Sequence, residues 1–160
     1  MKTKNKVLSL FLWYIPVLIV QLASSWVTYA KMSPWYGLIK KASWNPPSWL
    51  FAPVWTIIYL MMTVSVWLVY HTAAYERIKR RGYILFFVQL ALNGLWSFLF
   101  FGLHEPLLAL IDLSLLIIAE IATIVTFYKI HKGAASLLFP YLIWTLYAET
   151  LNGAVVILNR

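Results

Sequence analysis

The chain has no cysteine among its 160 residues. That excludes a disulfide scaffold, thiolate metal sites, iron–sulfur clusters and a cysteine nucleophile. Charge is scarce as well. Only 11% of residues are charged, with five acids against thirteen Lys and Arg, where an ordinary soluble domain carries ~25%. Too few charges remain to coat a water-soluble globule of this size. Three histidines, His71, His104 and His131, stand about thirty residues apart. They fall at the ends of apolar runs, with His104 on the opposite side from the other two, so they form no metal cluster and place no axial ligand for a haem iron mid-membrane. No GxxxxGK[ST], GxSxG or HExxH segment occurs. This leaves no signature of a phosphate-loop ATPase, a conventional hydrolase or a zinc protease.

What the chain has in abundance is apolar length: 62% of residues are hydrophobic. Five runs stand out, at about 7–30, 49–70, 83–102, 107–128 and 134–158. Each reaches the ~20 residues that a membrane-crossing helix needs. None alternates polar with apolar as a barrel strand does. The sequence therefore predicts an all-α membrane protein, a five-helix bundle in one domain over 1–160. The longest connection, Lys31 to Ser48, carries Pro34, Trp35, Tyr36, Trp44, Pro46 and Pro47. The connection around Glu76 to Gly82 is basic, and His104-Glu105-Pro106 and Lys129 to Gly133 are short turns.

The basic residues divide unequally between the two sides. Lys2, Lys4, Lys6, Arg77, Lys79, Arg80, Arg81, Lys129 and Lys132 share one side, and Lys31, Lys40, Lys41 and Arg160 the other. Cytoplasmic segments carry the excess of Lys and Arg. This places the N-terminus in the cytoplasm, the C-terminus and the long aromatic connection outside, and the protein in the cell membrane. The positive charge reads as a topology signal, with no nucleic acid as partner.

Polar residues inside the spans are informative because lipid cannot satisfy them. Gln89, Asn93 and Ser97 form a stripe on the third span with Trp96 beside it; Trp144, Ala148 and Asn152 form one on the fifth; Trp55 and Tyr59 share a face of the second. Such stripes face protein. They make either interhelical hydrogen bonds or the wall of a cavity for a small molecule. Asp112, Glu120 and Glu149 also lie within spans and must face the bundle interior. Asp112 either bonds a neighbouring helix end or serves a proton-relay or transport role. Of the nine tryptophans, most sit where the aromatic belts of a membrane lie; Trp55, Trp96 and Trp144 lie deeper.

Three segments, WNPPSWLFAPVWTIIY (Trp44 to Tyr59), QLALNGLWSFLFF (Gln89 to Phe101) and PYLIWTLYAETLN (Pro140 to Asn152), resemble the TspO/translocator-protein family. Its members are also called tryptophan-rich sensory proteins and peripheral-type benzodiazepine receptors. The resemblance implies a homodimeric five-helix bundle with an aromatic ligand cavity inside it that opens under the first loop. The implied ligands are protoporphyrin IX and benzodiazepine or isoquinoline carboxamide compounds, with no bound cofactor or metal. The implied lining is Pro46, Pro47, Trp55, Asn93, Trp96, Trp144, Tyr147, Ala148 and Leu151. The implied roles are tetrapyrrole transport, sensing, or light-dependent degradation in which Trp55 and Trp144 would act as catalytic residues. A small proton-coupled transporter of another hydrophobic compound is the alternative. Glu149 and Gly153 stand where animal members have threonine and an aromatic residue, so sterol is not the expected ligand.

Overall fold

The computed structural model describes residues 3–160, with side chains from Lys6 onward. Lys2 lies outside the described residues, and Lys4 is placed only by its helical backbone. Among the described residues seven α-helices follow in order: α1 (Thr3–Lys31), α2 (Trp35–Leu38), α3 (Phe51–His71), α4 (Glu76–Ser97), α5 (Pro106–Tyr128), α6 (Lys132–Ser136) and α7 (Phe139–Leu158). Five segments are long and apolar enough to cross a bilayer: 6–31, 48–71, 76–102, 106–128 and 132–158.

Two boundaries differ from the sequence reading. The basic stretch after Glu76 is helix, not loop, so the third span starts seven residues earlier than expected. Arg and Lys are good helix formers, and Glu76 in the first turn offsets the unfavourable meeting of cations with the helix N-terminus. The fifth span is broken. α6 ends at Ser136, and α7 restarts with Pro140 in its first turn, where a missing N–H costs no hydrogen bond.

The bundle is apolar on its outer face, and the polar residues of its spans are turned into an otherwise apolar interior. On α5 the exposed positions are Leu107, Leu108, Ile111, Leu115, Ile118, Ile121, Val125 and Tyr128. The face of α5 turned inward carries Asp112, Glu120, Thr123 and Thr126 among Leu113, Leu116 and Phe127. α4 packs along α5, α5 also along α7, and α1 against α3 and α4. Lipid tails are as apolar as the core, so close packing rather than water exclusion holds helices together. Two glycines permit it. A Cβ on Gly82 would meet the Phe127 ring at 3.1 Å, and one on Gly94 would meet Val20 at 3.2 Å.

The third span ends in a wide turn, Phe98–Gly102, before His104 adopts a left-handed backbone with φ of 57°. The His104 ring stacks on Trp35 at 4.4 Å. Tyr36 packs edge-on against Phe101 at 5.6 Å. The first connection is thereby pinned over one end of the bundle.

Candidate functional site

Pro47 is extended, with ψ of 141°, and a short turn at Ser48–Leu50 leads into α3. This stiff segment is tied to α7. The Tyr147 hydroxyl donates to the Trp44 carbonyl at 2.7 Å, and Trp44 Nε1 donates to Thr150 Oγ1 at 3.3 Å. Further along, Asn159 exchanges two bonds of 2.9 Å with the backbone of Lys40. Within the loop, Lys41 Nζ donates to the carbonyls of Tyr36 and Ile39. Burial pushes the Tyr36 phenol above its ordinary range, and its bond to Asn45 offsets part of that.

A groove of about 360 Å³ opens between α3 and α7, lined by Val54, Ile57, Ile58, Met61, Pro140, Ile143, Trp144 and Tyr147. Its lips face outward: Ile57 is 57% and Ile143 66% exposed. The Trp144 indole N–H is shielded and has no partner. Phe51 meets the Trp144 ring at 5.8 Å, and one turn deeper Trp55 meets Tyr141 at 6.2 Å. Trp55 and Trp144 thus lie on the two helices one turn apart in depth.

Of the nine residues implied by the resemblance, Trp144 and Tyr147 line this groove. Trp55 lies one packing contact away. Ala148 is half-buried on the next turn of α7, and Pro46 and Pro47 belong to the connection tied above. Asn93, Trp96 and Leu151 do not reach the groove. Asn93 is saturated from two sides: its Oδ1 accepts from the Tyr59 hydroxyl at 2.6 Å, and its Nδ2 donates to the Tyr141 hydroxyl at 3.0 Å. Trp96 Nε1 donates to Asn152 Oδ1 at 3.0 Å, and its ring stacks on Phe100 at 5.0 Å. Leu151 is buried. Interhelical bonding therefore accounts for Asn93 and Trp96 on the third span, but not for Gln89, whose amide has no partner.

The three intramembrane acids differ. Glu149 accepts from Ser114 at 2.6 Å, and Glu120 from Thr145 at 2.8 Å. Asp112 is 4% exposed with neither oxygen partnered. The bond to a helix end that was one reading of Asp112 is made instead by Asn152, whose Nδ2 donates to the Pro106 carbonyl at 2.8 Å. The histidines serve local structure. His71 bonds Ser9 at 2.8 Å, His104 lies 3.2 Å from the Lys31 carbonyl, and His131 accepts from the Ala134 amide at 3.0 Å.

Two residues central to this arrangement escaped the sequence reading: Tyr141 and Thr145, both buried. Their spacing of four on the fifth span was the available signal. The buried face of α7 runs through Tyr141, Thr145, Asn152 and Val155. It lies beside the Trp144, Ala148 and Asn152 stripe, which sits on its shoulder.

The TspO/MBR family model matches residues 12–158. The chain is 40% identical over 155 residues to the tryptophan-rich protein TspO of Archaeoglobus fulgidus, covering 96% of this chain and 98% of that one. It is 37% identical over 145 residues to protein CrtK of Rhodobacter capsulatus, covering 89% and 91%. It is 39% identical over 124 residues to the human translocator protein, covering 76% and 72%. Five membrane-length helices, the loop tied over one end, and a match across nearly the whole length agree: the chain is a membrane protein of the TspO/MBR family.

Proposed function

We propose that the chain binds planar aromatic compounds of the tetrapyrrole class, protoporphyrin IX among them, in the groove between α3 and α7. The observation that carries this reading is the groove itself, apolar along its wall and bordered by the Trp144 and Tyr147 rings. Indole rings offer flat faces for a macrocycle to stack on. The unmatched Trp144 N–H is shielded and is a donor only; a turn of the ring on binding would offer it to a ligand with acceptors at its rim, such as a porphyrin carboxylate or the amide carbonyl of an isoquinoline carboxamide. Its volume lies near the lower end of the ~300–1,000 Å³ of small-molecule sites. A whole macrocycle therefore requires Phe51 or Tyr141 to give way, bringing Trp55 to the ligand. Transport and sensing both start from this binding step.

Titration with protoporphyrin IX in darkness, followed by tryptophan quenching in lipid nanodiscs, tests the placement. Ile143→Trp fills the groove from its lipid-facing lip and should weaken binding about tenfold, a loss of ~1.4 kcal/mol. Ala148→Phe, one turn along α7, should weaken it less. The reverse order would move the ligand to the interior stripe, and no effect from either would remove the ligand from this face of α7.

A further inference from the structure

The bundle interior holds a second polar cluster, which the groove does not use. Glu120 on α5 is 2% exposed; its Oε2 accepts from Thr145, and its Oε1 has no partner. Gln89 on α4 is 1% exposed, and neither end of its amide is bonded. The helix register brings the two together. Gly82 of α4 lies against Phe127 of α5. Seven residues onward from Gly82 is Gln89, and seven back from Phe127 is Glu120, about two turns in each antiparallel helix. Both side chains therefore stand at one level on facing sides. Tyr141 stands one turn from Thr145 on α7, and its hydroxyl continues to Asn93 and Tyr59.

A carboxylate at this place would lack any counter-charge. Among the described residues, α4 presents Gln89 to it, and α7 presents Thr145 and Tyr141. α6 lies about two turns beyond, with Lys132 Nζ held over the Tyr128 ring at 5.6 Å and His131 engaged by the Ala134 amide. Asp112 is eight residues back along α5, about 12 Å away. An uncompensated charge in such a setting costs several kcal/mol. A neutral carboxyl completes the set. With the proton on Glu120 Oε1, a small rotation of the two side chains would let that O–H donate to Gln89 Oε1 and Gln89 Nε2 donate back to Oε2, the oxygen that already accepts from Thr145.

We propose that Glu120, with Gln89, Thr145 and Tyr141, is a proton-binding site of the membrane interior, occupied as a carboxyl–carboxamide pair. The proton comes from the aqueous phase and resides on Glu120. A monovalent metal ion is the competing occupant of the same oxygens, and the test separates the two.

Protein carrying ¹³C-labelled glutamate in lipid nanodiscs, read by infrared spectroscopy, makes that separation, because the label excludes Asp112. A labelled carbonyl band of a neutral acid should persist from mildly acidic to mildly alkaline pH. It should vanish in Glu120→Gln and move to higher frequency in Gln89→Leu, where the amide partner is gone. Replacing choline by sodium should leave it unchanged. If Glu120→Gln does not fold, the labelled wild type and Gln89→Leu decide the matter alone. A spectrum with only carboxylate bands at neutral pH overturns the proposal. So does a band indifferent to Gln89→Leu, or one lost on adding sodium, which would assign the site to the metal ion.

Discussion

Asn93 is the residue at which interior packing and ligand binding can be told apart. Asn93→Leu keeps the branched shape and heavy-atom count of the side chain and removes both ends of the amide. The Tyr59 hydroxyl, on a residue 4% exposed, loses its acceptor at 2.6 Å; the Tyr141 hydroxyl, on a residue 1% exposed, loses a donor at 3.0 Å. In soluble proteins a stranded buried group costs ~1–3 kcal/mol. Interhelical bonds in membranes average ~0.6 kcal/mol and reach ~1.7, because the unfolded helices also find partners in lipid. The membrane scale governs here, and two such bonds give a loss of about 1–3 kcal/mol. Removing the stranded hydroxyls as well, in the triple variant with Tyr59→Phe and Tyr141→Phe, should restore most of that loss, since apolar replacement of both partners is nearly neutral. Unfolding by detergent titration, followed by tryptophan fluorescence, measures both. Protoporphyrin affinity of Asn93→Leu should stay within about threefold of wild type, under 1 kcal/mol, because the tyrosines stand between Asn93 and the groove. A single variant as stable as wild type, or a triple variant no better than the single one, would refute the reasoning.

Three further outcomes follow from the same geometry. Trp144→Phe should slow light-dependent loss of bound protoporphyrin by more than it weakens binding, since it removes an oxidisable indole from the groove wall, and Trp55→Phe should do so less; equal decay at equal occupancy in all three proteins would leave a binding protein with no photochemical role. Metal-free porphyrin should bind at least as well as haem, because no histidine lines the groove, the Tyr147 hydroxyl is committed to the Trp44 carbonyl, and Met61 alone is left as an axial ligand for iron; a strong-field haem absorption spectrum that a histidine or Met61 substitution abolishes would contradict this. A reporter fused after Arg160 should be extracytoplasmic, as the division of basic residues requires, and a cytoplasmic reporter would reverse the orientation.

The five-helix architecture was legible because lipid imposes one rule on every span: about twenty apolar residues with the backbone bonded internally. The boundaries at Glu76 and Leu137 were less so. Hydropathy marks where a helix leaves the apolar layer, and α4 continues past that point through Arg77–Arg81, whose charged heads reach water while the helix runs on. The break before α7 depends on how Pro140 and the α6 turn pack, which no window average registers. The interior faces were legible in part. Gln89, Asn93 and Ser97 declared themselves by a spacing of four, and all three are buried.

The site was harder for a physical reason. In a membrane bundle, tryptophan is at home on the lipid belt, in the core and around a ligand, so its presence carries little positional information. Trp55, Trp96 and Trp144 were singled out together, and they do three different things. Trp96 is a hydrogen-bond donor to Asn152 in the packed interior, Trp55 leans on Tyr59 and Tyr141, and Trp144 borders the groove. What separates them is the rotation of α7, which turns Tyr141 and Thr145 inward and Trp144 to the shoulder. That rotation follows from which side chains must find partners. Glu120 needs Thr145, Pro106 needs Asn152, and Asn93 needs Tyr141; once those three contacts are made, Trp144 can point only toward α3. The polar residues, scarce as they are, therefore set the helix face that the aromatic residues present to a ligand.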